Sequence, residues 1–118
     1  MGSPIVFFQV TCADLERSAA FFHEVFGWEI GPESPGVGAS INTHDPVDFA
    51  LNGALSPAGE GRTPGITIFV RVDNLDDTVG KAEALGGRVL VQRMRTPGGV
   101  DIAVILTPDG HRIGVVQQ

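Results

Sequence analysis

Three histidines are the residues of this chain best suited to bind a metal ion or to move a proton. They are His23, His44 and His111, and imidazole is both a common metal ligand and the side chain that titrates nearest neutral pH. His23 falls on a predicted helix, His44 precedes a turn and His111 follows Pro-Asp-Gly, so structural or solvent-exposed roles are favoured. A metal held by His44 and His111 with carboxylates stays open, because spatial neighbours are invisible in a sequence.

The single cysteine, Cys12, is the one candidate thiol nucleophile. It lies where a predicted strand meets a predicted helix, and a helix N-terminus can activate a thiol. No histidine is placed beside it by the sequence, so a small buried residue is the favoured interpretation. One cysteine excludes an internal disulfide and is typical of a reducing compartment.

Arginines are the groups best suited to hold an anionic ligand. Arg71, Arg93 and Arg95 lie on predicted strands, and a guanidinium forms forked, charge-assisted hydrogen bonds with a carboxylate or a phenolate. The alternative is that these three side chains occupy a solvated edge. The glycines fall at caps and turns, and none forms a phosphate-binding fingerprint.

The elements that would position these residues form a repeat. Sliding residues 7–30 forward by 60 places Val10 on Val70 and Leu15 on Leu75, and such self-similarity indicates a duplicated unit. A shorter match at an offset of 64 aligns residues 43 and 45 with residues 107 and 109. We therefore expect the second copy to have gained four residues.

Each copy predicts a strand, a helix and three further strands. The first has strands at 4–11, 28–30, 37–43 and 47–52, and a helix capped by Asp14, ended by Gly27 and buried along Leu15, Ala19, Phe22 and Phe26. The second has strands at 66–72, 88–95, 100–106 and 112–116, with a helix from the Asn74 cap to Gly86 and Gly87. The prediction is one α+β domain over residues 1–118, made of tandem βαβββ modules at about 4–53 and 66–117 and a linker at 54–65.

Three segments of this repeat carry a family resemblance. They are FFQVTCADLERSAAFFHEVFGW, FVRVDNLDDTVGKAEALGGRV and TPDGHRIGVV. In this order they make the chain resemble the vicinal oxygen chelate superfamily, which includes glyoxalase I, extradiol dioxygenases and bleomycin resistance proteins. The resemblance implies curved mixed sheets around a central ligand cavity, with the helices on the outer face.

The resemblance also implies where a metal would bind. Members of the family that use a metal take His or Glu from the first and last strand of each module, and the motifs place those positions at Phe7, Ala50, Thr67 and Gly114. None of these offers the imidazole, carboxylate or thiolate that a transition ion needs. We therefore expect no metal and no other cofactor, which disfavours glyoxalase I and extradiol dioxygenase activity.

Strand parity predicts which side chains face the cavity, because alternate residues point to opposite sides of a sheet. On the last strand it turns Arg112, Gly114 and Val116 inward. The candidate ligand-binding residues are Phe7, Gln9, Trp28, Asn42, Thr67, Phe69, Arg71, Arg93 and Gly114. Alternatives stay open: the two phenylalanines can fill a collapsed core, Gln9 and Asn42 can bond each other or the backbone, and Trp28 can serve packing.

Composition limits the choice of partner. The net charge is −6, and residues 1–60 hold eight carboxylates against Arg17 alone. An acidic chain without a basic stripe argues against nucleic-acid binding. No apolar run approaches the length of a membrane span and the start lacks a secretory signal, so a cytoplasmic location is expected. Half-chains of this size are marginal alone, so we expect a homodimer, whether side by side or with exchanged modules.

These features predict a binding protein of the bleomycin resistance type, which holds an organic, aromatic or antibiotic-like ligand in a metal-free cavity. One alternative is an enzyme of the same fold, either a metal-independent isomerase, cyclase or lyase, or a glyoxalase or dioxygenase whose metal ligands have moved. Another is a domain that only assembles with other proteins, which predicts a filled cavity.

Overall fold

The computed structural model describes residues 2–34, 38–43, 51–58 and 63–117. Within them the element order is β1 (Ile5–Cys12), α1 (Leu15–Phe26), β2 (Glu29–Ile30), β3 (Ala39–Asn42), β4 (Gly53–Pro57), β5 (Gly65–Arg71), α2 (Leu75–Ala84), β6 (Arg88–Arg95), β7 (Asp101–Leu106) and β8 (Arg112–Gln117). The predicted α+β class with two tandem βαβββ modules is confirmed. Module 1 is β1 to β4 with α1, and module 2 is β5 to β8 with α2. Neither helix is long and apolar enough to cross a bilayer.

Backbone contacts divide the chain into two compact units that differ slightly from the modules. One unit is Phe7–Ile66, and the other joins Met1–Val6 to Thr67–Gln118. The backbone amide of Arg71 donates to the carbonyl of Pro4 at 2.9 Å. This bond attaches the start of the chain to the unit that contains module 2.

The sheet of module 1 has the strand order β2-β3-β4-β1. β1 is parallel to β4, with Phe8 opposite Gly53, and β3 is antiparallel to β2 and β4. The Asp14 carboxylate accepts a hydrogen bond from the Arg17 amide at 3.1 Å, and Gly27 ends α1 at φ 70°. Both predicted caps are therefore confirmed. The core of module 1 consists of Cys12, Ala39, Ile41 and Leu55.

Module 2 repeats this plan with the strand order β5-β8-β7-β6. β5 is parallel to β8, with Ile68 opposite Ile113, and β7 is antiparallel to β6 and β8. The predicted cap of α2 is confirmed, since the Asn74 side chain accepts from the Asp77 amide at 3.0 Å. The core of module 2 consists of Val72, Leu75, Ala103 and Val115.

Each sheet has two faces that differ in what covers them. We call the side that packs against the module's own helix the helix face, and the other side the open face. Phe8 and Val10 pack around the module 1 core with residues of α1, and Val70 packs around the module 2 core with Val79 of α2. Because side chains alternate along a strand, Phe7, Gln9 and Phe69 lie on the open faces, as parity predicts.

The last strand of module 1 corrects the predicted boundaries. Residues 54–57 belong to β4, although the sequence assigned them to the linker, while most of the predicted strand at 47–52 lies outside the described residues. Phe8 is opposite Gly53 and Ile68 is opposite Ile113, so both pairs are 45 residues apart. The expected four-residue gain is therefore absent between these strands. The position equivalent to Gly114 is Ala54, which lies opposite Gln9, and not Ala50.

The helix of module 1 is less buried than its sequence predicts. Leu15, Ala19 and Phe22 pack against the core as expected. Phe26, the fourth residue of the predicted stripe, is exposed, and no residue of α1 is fully buried. On the far side of α1, Phe21 is 57% exposed. This leaves a large apolar side chain of module 1 facing solvent.

Candidate functional site

The open face of module 1 is mostly polar. Gln9 on β1 donates through its side-chain amide to the hydroxyl of Ser56 on β4 at 2.8 Å. Ala54 lies opposite Gln9 and two residues before Ser56 on β4, and Asn42 continues the same face on β3, opposite Glu29. Gln9 therefore bonds to Ser56, a partner that the sequence did not identify. Besides Phe7 and Ala54, this face therefore carries the amides of Gln9 and Asn42 and the hydroxyl of Ser56.

The open face of module 2 is apolar, with polar groups at its ends. Phe69 is 7% exposed, and its ring lies against Gly114 on the neighbouring strand. A Cβ added at Gly114 would collide with that ring. Val104 and Val116 continue the surface on β7 and β8. Phe69 thus occupies the space that a larger side chain at position 114 would need.

Two hydrogen-bonding or charged residues border this apolar surface on β5. Thr67 is 4% exposed and Arg71 is exposed. They lie two residues before and two residues after Phe69, so all three side chains share the open face. The structure therefore places Thr67, Phe69, Arg71 and Gly114 on one face of the module 2 sheet, and Gln9 and Asn42 on one face of the module 1 sheet.

Arg93 is held by carboxylates of its own module. Its guanidinium pairs with Asp76 of α2 at 2.8 Å and with Asp101 of β7 at 2.5 Å, and Arg95 also contacts Asp101, at 3.2 Å. The hydrogen bond from Arg93 holds the pKa of Asp101 below its usual value, and the bonds to Asp101 and Asp76 raise the pKa of Arg93. Both Arg93 and Arg95 thus make ion pairs within the protein, whereas Arg71 has no ion pair among the described residues.

Trp28 lies on the helix face of module 1, on the other side of that module's sheet from Gln9 and Asn42. Its ring stacks on Phe22 with centroids 5.1 Å apart and contacts Phe26 and Phe8 at 5.3 and 5.7 Å. Phe8 lies on the helix face, opposite to Gln9. Trp28 therefore belongs to the aromatic cluster under α1, in agreement with the packing alternative.

The positions that the family resemblance implies for metal ligands carry side chains that are poor donors for a transition ion. With the strand register applied to module 1, these positions are Phe7, Ala54, Thr67 and Gly114, and they supply one hydroxyl and no imidazole, carboxylate or thiolate. Gly114 has no side chain, and the Phe69 ring fills the adjacent space. No group of three or more His, Cys, Asp or Glu residues that could hold a metal occurs in the ranges described. Ala50, the position that the motifs had suggested, lies outside those ranges.

The two histidines that the structure describes, His23 and His111, have the structural or solvent-exposed roles that the sequence favoured. The Nδ1 of His23 donates to the carbonyl of Trp28 at 2.9 Å, just past the end of α1. His111 is exposed, and its backbone amide donates to the Thr107 hydroxyl at 3.0 Å. His44 lies outside the described residues.

A shallow groove of about 530 Å³ lies within the compact unit Phe7–Ile66, beside the start of α1. Its walls include Val10, Cys12, Asp14 and Ile66. The Cys12 thiol is buried and donates to the Val10 carbonyl at 3.5 Å, while Asp14 caps the helix. Both reactive groups thus have structural partners, and no predicted ligand-binding residue lines the groove.

Comparisons with solved structures agree with this fold. Methylmalonyl-CoA epimerase from Mycobacterium tuberculosis is similar with a TM-score of 0.65 and 22% identity, over 96% of this chain and 86% of that one. A variant of the Streptomyces coelicolor methylmalonyl-CoA epimerase, in complex with 2-nitronate-propionyl-CoA, gives 0.64 and 21%, over 98% and 94%. A glyoxalase/bleomycin resistance protein/dioxygenase superfamily member from Vibrio splendidus gives 0.65 and 18%, over 98% of both chains.

Sequence comparison identifies the family directly. No curated protein matches the chain by sequence. A family model does match, over residues 5–115, which is nearly the whole chain. The chain belongs to the Glyoxalase/Bleomycin resistance protein/Dioxygenase superfamily.

Proposed function

We propose that this chain is a small-molecule-binding protein of the glyoxalase/bleomycin resistance type, which holds an organic ligand against the open faces of its modules. The observation that carries the proposal is the open face of module 2, where the apolar surface around Phe69 and Gly114 is bordered by Thr67 and Arg71. Small-molecule sites typically combine an apolar lining with a few polar groups that fix orientation. The ligand in this proposal is aromatic or antibiotic-like, and the protein is cytoplasmic.

Seven of the nine predicted residues lie on the open faces, which are proposed as separate binding surfaces. They are Phe7, Gln9 and Asn42 on that of module 1, and Thr67, Phe69, Arg71 and Gly114 on that of module 2. Trp28 is left out because it packs under α1, and Arg93 is left out because two carboxylates hold its guanidinium. Binding is proposed to be independent of a metal, because the residues at the family's metal positions are poor ligands.

Titration of isotope-labelled protein with an aromatic and antibiotic-like compound panel tests this function. A ligand bound at the open face should shift the amide signals of Phe69, Val104 and Gly114 and leave those around Trp28 unchanged. Phe69→Leu should weaken binding about tenfold or more, because a buried aromatic ring contributes most of the local contact area.

Phe21→Leu is the matched control for that variant, since Phe21 faces solvent on α1. It should bind as the unmodified protein does. A panel that shifts no open-face amide at millimolar concentration contradicts the proposed function.

The alternative is an enzyme of the same fold. Two of the similar structures are epimerases, which are isomerases, and one was solved with 2-nitronate-propionyl-CoA. At these identities the likeness is one of fold. Turnover of a bound compound would favour a metal-independent isomerase, cyclase or lyase, and a stoichiometric transition ion in untagged protein would favour relocated metal ligands.

We also propose that α1 pairs with α1 of a second copy. Its outer stripe is Arg17, Ala20, Phe21 and Glu24, all exposed and at helical spacing. In an antiparallel pair about a two-fold axis, Arg17 of one copy lies opposite Glu24 of the other, twice, and Phe21 packs over Ala20. The charges and the apolar side chain are therefore self-complementary.

Charge exchange in this stripe tests the dimer. Arg17→Glu should weaken self-association about tenfold or more, because it sets like charges opposite each other at both ends of the contact. The double variant R17E/E24R should restore it, as measured by light scattering on a dilution series. A protein that is monomeric at every concentration, or a double variant no stronger than R17E, would rule out this pairing.

A further inference from the structure

Thr67 presents a hydroxyl on the open face of module 2. The residue is 4% exposed, and its hydroxyl has no hydrogen-bond partner in the described part of the chain. No fully buried side-chain oxygen or nitrogen of the described residues lacks a partner, so the small exposed area of Thr67 includes its hydroxyl. A ligand that replaces water at this hydroxyl can therefore bond to it.

Arg112 lies beside Thr67 on the neighbouring strand. Ile68 is opposite Ile113 in the parallel pair of β5 and β8, so the residues before them, Thr67 and Arg112, are neighbours on the open face. The strands are about 4.8 Å apart. The Arg112 guanidinium makes no ion pair or hydrogen bond with any described residue. Arg93 and Arg95, in contrast, both pair with Asp101.

The side chains of Thr67 and Arg112 are suited to bind an anion. A guanidinium supplies only donors, and the Thr67 hydroxyl can add one more. The apolar surface of Phe69 and Val116 next to them excludes water, which strengthens a charge-assisted hydrogen bond. Arg71 is four residues from Thr67, or about 13 Å along the strand, so it lies too far away to share one carboxylate with them.

We infer that Thr67 and Arg112 form an oxyanion subsite that binds the carboxylate of an organic acid, with the apolar body of the acid lying on Phe69. The inference rests on the proposed function and specifies its ligand class. The Arg112 guanidinium then supplies a positive charge beside Thr67, one of the positions at which the family resemblance implies a metal ligand.

Matched carboxylates and amides test the subsite. The probes are benzoate, 2-naphthoate and indole-3-acetate, each with its neutral amide, titrated into isotope-labelled protein. The carboxylates should bind about tenfold or more tightly than their amides, as expected for a hydrogen bond to a charged group. Thr67→Val and Arg112→Met should each remove most of this preference and leave amide binding unchanged.

Arg88→Met is the matched control, because Arg88 is an exposed arginine at the start of β6. It should retain the full preference, and dispersed spectra of every variant show that it folds. Thr67→Val should also raise the melting temperature or leave it unchanged, since an isosteric methyl replaces a hydroxyl without a partner. A threonine that only supports the fold would give a lower melting temperature.

The outcomes separate the subsite from the function. Equal binding of acids and amides, or an Arg112→Met protein that still prefers acids, overturns the subsite and leaves the proposed function standing. If neither acids nor amides bind, while the wider panel also fails, the proposed function falls and the subsite falls with it.

Discussion

Replacing Leu55 with alanine is expected to lower the free energy of unfolding by about 3 to 5 kcal/mol, the range for removing a fully buried leucine side chain. Leu55 is 0% exposed and packs with Cys12, Ala39 and Ile41. It lies on β4, which pairs with β1 on one side and β3 on the other. The surrounding strands limit collapse into the resulting cavity. Urea unfolding followed by circular dichroism measures the change.

Leu85→Ala is the matched control for this substitution. Leu85 is 80% exposed at the end of α2, so truncating it should change stability by no more than about 0.5 kcal/mol. The comparison also tests the corrected position of β4. If residues 54–65 formed a surface linker, the Leu55 and Leu85 variants would be equally mild, and that result would contradict the strand.

The sequence could locate those elements whose limits depend on local chemistry. Asp14 and Asn74 cap the two helices because a side-chain oxygen reaches an amide three residues ahead. Gly27 ends α1 because glycine adopts a positive φ without strain. The strands of module 2 were found because turn residues separate them sharply. Strand parity then assigned β1 and β5 side chains to the correct faces.

β4 could not be found in this way because its identity depends on its neighbours. Its sequence, GALSP, contains glycine, serine and proline, which are typical of a loop. Pairing with β1 and β3 makes it a strand, and Gly53 fits because a Cβ there would collide with the carbonyl oxygen and the ring of Phe8. Tertiary pairing therefore overrides the local preference of these residues.

For the candidate site, the sequence could predict which sheet face each side chain occupies, but not which residues it bonds to. Parity placed Gln9, Phe69 and Arg112 on one side of their strands. The hydrogen bond from Gln9 to Ser56 joins residues that are 47 positions apart in the sequence. The bond from Arg93 to Asp76 joins residues that are 17 positions apart. Such spatial pairs have no signal in one sequence, so arginines with and without partners cannot be distinguished before the structure.

Gly114→Ala is expected to destabilise the protein by about 1 to 3 kcal/mol, the usual cost of adding a methyl group to a packed core. The new Cβ would collide with the body of the Phe69 ring, which is itself buried and has little room to move. Urea unfolding should show this loss. The same substitution should also move the ring and weaken binding of an aromatic ligand to the open face.

A second substitution identifies the Phe69 ring as the cause. In a Phe69→Leu background, Gly114→Ala should cost less, because a smaller and more flexible side chain can yield to the added methyl. The double-mutant cycle should give a coupling of about 0.5 to 3 kcal/mol, as found for residues in direct contact. Gly80→Ala in α2 is the control, since its Cβ would meet open space and alanine is favoured in a helix. If Gly114→Ala is as harmless as Gly80→Ala, the ring does not occupy the space beside Gly114, and the aromatic surface of the proposed site must be placed elsewhere.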